Sequence, residues 1–211
     1  LRGIDWAPAT PSAQVKGCVL LAALAATGES IYREVVATRD HTERMLVARG
    51  AALRTSRDAS GTTVTIAPGE LSALPLVTIP GDPSSATFWL VAGSLHPDAD
   101  LLIRGVSLNP TRRHAIDLLQ RMGARIDEFP AADDGSGEPV GDLRVRSAAL
   151  HGIDMTPTDV ALAIDEVPIL SLAAAMATGA TSIRGAGELR AKESDRIAGV
   201  AAGLTALGLT I

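Results

Sequence analysis

The chain has 211 residues, of which 46% are apolar, and this share of apolar side chains excludes a disordered polypeptide. Its formal charge is −5, with 19 Lys and Arg against 24 Asp and Glu and no long basic run, so nucleic acid is not an expected partner. No apolar stretch reaches the roughly 20 residues that span a bilayer, so a membrane is not expected either. The single cysteine excludes a disulfide framework and a cysteine zinc site, and it indicates a reducing cytoplasm.

Three stretches of the chain follow one pattern. Each has a small or acidic opening residue, an apolar helix of about a dozen residues, a stop at Gly or Pro and a short β-rich run. These stretches are residues 12–36, 84–107 and 165–188. A second helix is predicted after each stretch, at 38–53, 109–126 and 192–211. A strand is predicted after each of the first two of these helices, at 63–68 and 142–147. The pattern predicts an α/β (α+β) fold of repeated β-α-β-α-β-β units.

The same pattern predicts helix ends and helix faces. Gly28 and Gly179 occupy the places where helix C-caps are expected. Cys18 lies within the apolar run of the first helix, so we expect it to be buried. The second helix of the middle copy has an apolar stripe, formed by Ile116, Leu118, Leu119 and Met122.

Two passages interrupt the repeats. Residues 78–86 contain the turn-rich sequence "PGDP" and are the expected domain boundary, which divides the chain into residues 1–80 and 81–211. Residues 129–142 are acidic and rich in Gly and Pro, and we expect a solvated loop there.

The first and last residues suggest a piece of a longer protein. The chain begins with Leu1 rather than Met, and "LRGIDW" is typical of the interior of a polypeptide. The third copy of the repeat stops at Ile211, where its next strand is expected.

A charged motif, "KESDR" at 192–196, stands before the last apolar run. On a helix Lys192 and Arg196 are i,i+4 neighbours, and Glu193 is an i,i+3 neighbour of Arg196. Two cations at a helix N-terminus oppose the helix dipole unless an anion binds there. The functional interpretation is therefore an anionic-substrate site with a carboxylate for proton transfer. The charge pattern alone favours the alternative, a solvated helix start with ion pairs.

The other candidate residues also stand where helices are predicted to start. Asp165, in "AIDEVPIL", is either an N-capping residue or a general base, and taken alone the cap is favoured. Ser12 and Gln14 begin the first helix, where a cap is again favoured over a phosphate site. Arg39 lies in "ATRDHTERM", which has no second His or Cys at metal-binding spacing, so no metal is expected. Helix N-termini gathered on one side predict a pair of anionic substrates.

Five segments together resemble one enzyme family. "SAQVK", "TRDHTERML", "GDPSSATFWLVA", "LNPTRR" and "LRAKESDRI" occur in the order found in the 5-enolpyruvylshikimate-3-phosphate (EPSP) synthases, and the resemblance covers residues 8 to 208. It implies two domains, each built from three β-α-β-α-β-β units around a pseudo-threefold axis. Residues 1–80 would be the last unit of the first-entered domain. Residues 81–211 would be two units of the other domain, the second incomplete.

The resemblance also implies the reaction, which transfers the enolpyruvyl group of phosphoenolpyruvate to the 5-hydroxyl of shikimate 3-phosphate. The partners would be these two small molecules, with no cofactor or metal, and the intact enzyme would be a monomer. Ser12, Ala13 and Gln14 match the segment that binds shikimate 3-phosphate, and Gln14 also lies near phosphoenolpyruvate. Many relatives have Ser in place of Ala13. Arg39 matches a position that contacts shikimate 3-phosphate in one subgroup.

Four further residues match the reacting end of the family's site. Asp165 would bind the ring hydroxyls and take the proton of the 5-hydroxyl. Lys192 would contact both substrates, and Arg196 would bind the anionic groups of phosphoenolpyruvate. Glu193 would donate a proton to the methylene carbon of phosphoenolpyruvate, within the phosphoenolpyruvate site.

Several family motifs have no counterpart in the 211 residues. These are an early Lys-Ser pair with a following Arg, a Gly-Asn-x-Gly-Thr loop, and a late Asp-His-Arg with a further Lys. We therefore expect the isolated chain to be inactive or nearly so, and its exposed edges make self-association plausible. Two alternatives remain open: a non-catalytic module that binds a sugar phosphate or a partner chain, and UDP-N-acetylglucosamine enolpyruvyl transferase. The second is disfavoured because its cysteine lies on a mobile loop, unlike Cys18.

Overall fold

The computed structural model describes residues 1–74, 76–132, 134–209 and 211. The chain divides into two compact units, which are Leu1–Ile79 with Ala132–Glu138, and Pro80–Ala131 with Pro139–Ile211. Within the described residues, no helix has both the length and the apolar character to cross a membrane. The assignment of residues 1–80 and 81–211 to two different domains of a larger enzyme stays a prediction.

The first unit is a sheet with two helices. Its elements are β1 (Asp5–Trp6), α1 (Ala13–Ala23), β2 (Ser30–Glu34), α2 (His41–Ala48), β3 (Leu53–Asp58) and β4 (Gly61–Ile66). The strand order is β1-β2-β4-β3, with β1 parallel to β2 and the other pairs antiparallel. Val64 and Ile66 on β4 are fully buried against Leu20 of α1 and Leu46 of α2, so both helices pack on one face of the sheet.

The second unit has a larger core, and its described part contains eleven elements, five more than one repeat. Its elements are α3 (Pro83–Leu95), β5 (Asp100–Ser107), α4 (His114–Arg121), β6 (Arg125–Pro130), β7 (Val140–Arg146), β8 (Asp154–Met155), α5 (Pro157–Leu162), α6 (Val167–Ala175), β9 (Ser182–Ile183), a 3₁₀ helix (Ala186–Ala191) and α7 (Arg196–Ala206). The strands pair in the order β5-β7-β6, all antiparallel, and β8 pairs with β9 in parallel.

The strand pairing confirms the predicted repeat. In the first unit, β1 lies parallel to β2, which pairs in turn with the last strand of the repeat, β4. In the next copy Gly81 takes the place of β1, because it forms a parallel bridge to Val106 on β5, which pairs with β7. The third copy begins in the same way, with β8 parallel to β9. The short helix α5 was not predicted from the sequence.

The predicted apolar stripe of α4 is confirmed, since all four of its side chains are at most 3% exposed: Ile116, Leu118, Leu119 and Met122. The prediction for Cys18 is wrong, because this residue is exposed. The buried residues of α1 lie at 16, 17, 20 and 23, and helical periodicity places position 18 on the opposite face. Because nearly all of this helix is apolar, its sequence does not reveal which face is buried.

The predicted C-caps at Gly28 and Gly179 are also wrong in position. Helix α1 ends at Ala23 with Leu24 as its C-cap, so Gly28 lies in the turn beyond it. Both glycines have positive φ, 99° and 86°, and therefore serve the turns that lead into β2 and β9. The backbone N–H of Ala25 bonds the carbonyl of Ala22 at 3.2 Å, and such a tight last turn satisfies helix carbonyls without a left-handed residue.

The acidic loop predicted at 129–142 is shorter and better packed than expected. Strand β6 extends to Pro130 and β7 begins at Val140. Between them, Glu138 accepts a bond from His41 on α2, with Oε1 and Nδ1 3.1 Å apart. A Cβ added to Gly137 would lie 2.8 Å from the carbonyl oxygen of Arg44, so the loop contacts the backbone of α2.

Helix α5 begins with a capping box that extends into an ion-pair network. Asp159 accepts bonds from the backbone N–H and the hydroxyl of Thr156, both at 2.8 Å, and lies 3.0 Å from His114 and from Arg121. Burial raises the pKa of Asp159, but the bonds from Thr156, His114 and Arg121 outweigh it and hold this pKa well below its usual range.

We predict that Asp159→Asn destabilises the protein by about 1–3 kcal/mol at pH 7, because charge-assisted bonds to a nearly buried carboxylate are lost. A depressed folded pKa gives stability that is complete above the unfolded value of about 3.9 and is lost as the pH falls below it. The difference between the two proteins should therefore shrink from pH 5 to pH 3 in urea unfolding. Asp98→Asn, at an exposed turn, is the control. A difference independent of pH would contradict this account.

Candidate active site

The first group of candidate residues forms the start of helix α1. Ser12 is the N-cap, in extended conformation, and its Oγ accepts a bond from the N–H of Val15 at 3.4 Å. Ala13 is the first helical residue, and Gln14 is exposed in the first turn. The capping role weighed for Ser12 is therefore observed. No acidic side chain stands in this turn, so its positive end is not neutralised by its own residues.

A buried ion cluster lies directly below this turn. The side chain of Lys16 is 1% exposed, and its Nζ lies 2.6 Å from Glu43 Oε1 and 3.0 Å from Glu34 Oε1. The same Nζ donates to the carbonyl of Thr38 at 3.4 Å. The pattern of the sequence predicted no role for Lys16. The available signal was a lone lysine inside an apolar helix, where an unpaired charge is rarely tolerated.

Arg39 follows a segment that this cluster holds. Thr38 donates from its backbone N–H to Glu34 Oε1 at 3.1 Å and from its hydroxyl to Glu34 Oε2 at 2.8 Å. Arg39 itself is half-buried, and Asp40 after it is the N-cap of α2. In the first unit, the side chain of Lys16 therefore connects the start of α1 with the segment before α2.

In the second unit, Asp165 does not cap helix α6. The N-cap is Glu166, which makes no side-chain capping bond, because its carboxylate is buried and bonded elsewhere. Asp165 is exposed and its Oδ1 lies 3.4 Å from Nη1 of Arg196. The capping interpretation of Asp165 is therefore wrong, and its carboxylate meets a cation of the "KESDR" motif.

The motif "KESDR" does not lie on one helix, contrary to the prediction. Asp195 caps α7, with Oδ1 accepting from the N–H of Ala198 at 2.9 Å, and the helix starts at Arg196. Asp is among the preferred N-caps, so the helix begins after it rather than at Lys192. Lys192 follows the 3₁₀ helix and pairs with Glu188, Nζ to Oε1 at 2.6 Å.

Arg196 joins the two carboxylates for which chemistry was predicted. Its Nη2 lies 2.7 Å and 2.9 Å from the two carboxylate oxygens of Glu193, which gives the i,i+3 pair that the spacing predicted. On its other side the guanidinium reaches Asp165, at 3.4 Å. The second unit therefore brings Asp165, Glu193 and Arg196 together, with Lys192 directed to Glu188.

A second buried cluster, not predicted from the sequence, anchors the residue beside Asp165. Glu166 is 5% exposed, accepts a short bond from the hydroxyl of Ser84, and lies 3.5 Å from Nη2 of Arg112. Arg112 also bonds Ser84 at 2.5 Å and approaches Asp82, the N-cap of α3, at 3.4 Å. Three separate motifs each contribute one part of this cluster, so its assembly depends on the fold.

The second unit also contains a cavity. An apolar cavity of about 870 Å³ lies between α6, the 3₁₀ helix and α7, and of the predicted site residues only Arg196 lines it. Among the residues described, His, Cys, Asp and Glu side chains form no group of three that could hold a metal ion.

A family model described as "EPSP synthase (3-phosphoshikimate 1-carboxyvinyltransferase)" matches residues 1–211. The chain belongs to the EPSP synthase family. The 3-phosphoshikimate 1-carboxyvinyltransferase of Roseiflexus castenholzii is 53% identical over 203 residues, which are 95% of this chain and 46% of that protein. That of Chloroflexus aggregans is 48% identical over the whole chain and 48% of its own length. The chain spans about half the length of these curated relatives.

Solved structures show the same relationship. An EPSP synthase from Acinetobacter baumannii superposes with a TM-score of 0.88 and 41% identity, over 97% of this chain and 45% of that one. The enolpyruvyl transferase NikO from Streptomyces tendae, at 22% identity and a TM-score of 0.58, is similar in fold. The predicted enolpyruvyl transferase architecture is therefore confirmed.

The electrostatics of the EPSP synthase motif favour an ionised Glu193. Its own backbone N–H and then the Arg196 guanidinium lower the pKa of Glu193 below its usual value. The paired carboxylate in turn raises the pKa of Arg196. A lowered pKa favours the ionised carboxylate, so a role as acid would require the surroundings of Glu193 to change.

We predict that Arg196→Met raises the pKa of Glu193 towards its ordinary value of 4.5, because the strongest cationic partner is removed. Carbon-detected NMR titration of the Glu193 carboxylate measures this change. Arg190→Met is the matched control, since Arg190 pairs with Asp195 at 2.7 Å instead. An unchanged pKa in the Arg196 variant would show that the ion pair does not form in solution.

Proposed function

We propose that this protein takes part in 3-phosphoshikimate 1-carboxyvinyl transfer, the reaction for which its family is named. The observation that carries the proposal is the guanidinium of Arg196 at the start of α7, which lies between two carboxylates, Asp165 and Glu193. A fixed cation beside one candidate base and one candidate acid suits an anionic substrate that undergoes proton transfer. The two units would belong to the two domains of the enzyme, divided near residue 80.

In this proposal shikimate 3-phosphate binds with its phosphate at the start of α1. Ser12, Ala13 and Gln14 offer backbone N–H groups and the positive end of the helix dipole, and Arg39 adds a cation. Phosphoenolpyruvate binds to Lys192 and Arg196. A substrate anion on Arg196 would take the donors that now bind Glu193.

The proposed reaction starts from the two substrates bound in these positions. The 5-hydroxyl of shikimate 3-phosphate gives its proton to Asp165, and its oxygen bonds to C2 of phosphoenolpyruvate. At the same time Glu193 gives a proton to C3, which forms a tetrahedral adduct. Glu193, now ionised, then takes one proton back from C3 as phosphate departs, which leaves the enolpyruvyl ether. Each positioned acid or base contributes typically 10²–10⁴-fold to the rate.

Substrate binding would also prepare Glu193 for its role. Its pKa is low because it accepts bonds from its own N–H and from Arg196. A phosphate or carboxylate that takes the Arg196 bonds and adds negative charge raises the pKa of a nearby carboxyl group. Binding of phosphoenolpyruvate would therefore favour protonated Glu193, the form that can act as an acid.

A second candidate function is a non-catalytic module that binds a sugar phosphate. It is favoured by the family motifs that have no counterpart in the 211 residues. UDP-N-acetylglucosamine transfer stays disfavoured. Cys18 is exposed, contrary to the prediction, but it lies within α1 and not on a loop. We also retain a cytoplasmic location and self-association as proposals.

We predict that the 211-residue chain alone releases little or no phosphate from shikimate 3-phosphate and phosphoenolpyruvate, because part of the expected ligand set is absent from it. A coupled phosphate-release assay measures this, beside an intact relative. Turnover comparable to that relative would refute the expected inactivity. Glu193→Gln should then abolish the release, and a fully active variant would contradict the role of Glu193.

We predict that shikimate 3-phosphate raises the melting temperature of the chain, because it binds only the folded state. Ser12→Asn and Ser12→Asp both keep an N-cap, and their ligand-free stabilities should differ by less than about 1 kcal/mol. The Asn variant should keep most of the ligand-induced shift. The Asp variant should lose it, since its carboxylate repels the phosphate. Equal shifts in both variants would place the phosphate away from α1.

A further inference from the structure

The ammonium group of Lys16 connects three elements of the first unit from a buried position. Its Nζ meets Glu34 at the end of β2, Glu43 in the first turn of α2, and the carbonyl of Thr38 between them. Lys16 itself belongs to α1, four residues after the N-cap Ser12. One side chain therefore ties the start of α1 to the strand and to the segment that precedes α2.

Both segments tied by this side chain contain candidate binding residues. The first turn of α1 contains Ser12 and Gln14, and the backbone N–H of Lys16 bonds the carbonyl of Ser12 at 2.9 Å. Thr38 is the residue before Arg39, and Glu34 fixes it through both its N–H and its hydroxyl. The position of Lys16 Nζ thus sets the separation between the helix start and the Arg39 segment.

We propose that Lys16 is a positioning residue for the phosphate end of the shikimate 3-phosphate site. This inference rests on the proposed function. Lys16 acts through other groups, because its Nζ is enclosed by Glu34, Glu43 and Thr38 and its side chain is 1% exposed. Its role is to hold the N–H groups of α1 and the cation of Arg39 at the spacing that one phosphate group requires.

The charges of the Lys16 cluster favour a positioning role over a role in stabilising the fold. One ammonium faces two carboxylates, so the trio has a net charge of −1 in a buried place. Oε2 of Glu43 is buried and has no hydrogen-bond partner in the part of the chain that the structure describes. Buried ion groups of this kind are often no more stabilising than apolar residues of similar volume. The unsatisfied carboxylate oxygen costs stability, so the cluster is not optimised for stability alone.

The test uses a pair of changes that preserves the buried charge. Lys16→Met alone leaves two carboxylates unpaired, and we expect it to destabilise the fold. Lys16→Met with Glu43→Gln restores the net charge of −1, leaves Glu34 bound to Thr38, and should recover most of the melting temperature. The control is Arg33→Met with Asp5→Asn, which removes an exposed ion pair of the same unit, with side chains 48% and 55% exposed.

The readout is the binding of shikimate 3-phosphate to each ¹⁵N-labelled 211-residue chain, followed through the backbone amides of Ser12–Gln14 and Arg39. The charge-matched double variant should be folded and bind at least roughly tenfold more weakly, since small displacements of binding groups are costly. Its ligand-free amide signals at these four residues should also shift. The exposed-pair control should bind like the unchanged protein.

Each result of this binding experiment supports or contradicts a stated claim. Unchanged affinity in the folded double variant would overturn the positioning role while leaving the proposed function intact. Equal weakening in the control would overturn it as well, because the loss would not depend on Lys16. If the unchanged chain binds no shikimate 3-phosphate, the proposed function fails and the positioning role fails with it. Weakening in the double variant alone supports the positioning role and the proposed shikimate 3-phosphate site.

Discussion

The guanidinium of Arg196 holds two carboxylates that would otherwise repel each other at the start of α7. Glu193 binds it through both oxygens, and Asp165 approaches it from the junction before α6. A cation with several donors in a fixed plane is suited to this arrangement, which a lysine would not reproduce. The proposed chemistry of the second unit depends on this contact, since it brings together the two carboxylates proposed as proton donor and acceptor. The backbone N–H of Glu193 and then the Arg196 guanidinium lower the pKa of Glu193.

Both units place buried ionic groups beneath their exposed candidate residues. Lys16 with two glutamates lies below the start of α1, and Glu166 with Ser84 and Arg112 lies beside Asp165. In each case the buried group and its partners come from different helices, strands or connecting segments. Such clusters restrict the helix starts to one arrangement, which an exposed ion pair does not achieve because water competes for it.

Several local features could be predicted because one short segment contains the whole signal. The apolar stripe of α4 follows from its own periodicity, and the pairing of Glu193 with Arg196 follows from their spacing. Features that depend on contacts between two segments were missed or predicted wrongly. Cys18 was expected inside because α1 is apolar on most of its surface, and the sheet decides which side of that helix is covered. The start of α7 was misplaced although its signal is local, because the cap at Asp195 outweighed the charge pattern.

By itself the sequence determined the family, the repeated β-α-β-α-β-β unit and the identity of the residues proposed to bind and react, because these depend on residue type and order. The tertiary structure decided which of them meet. It turned Asp165 from a candidate cap into a partner of Arg196, directed Lys192 to Glu188, and gave Lys16 its buried carboxylates. The physical reason is that hydrogen bonds and ion pairs act over about 3–4 Å, a distance that only packing of the helices and strands sets for residues far apart in the chain.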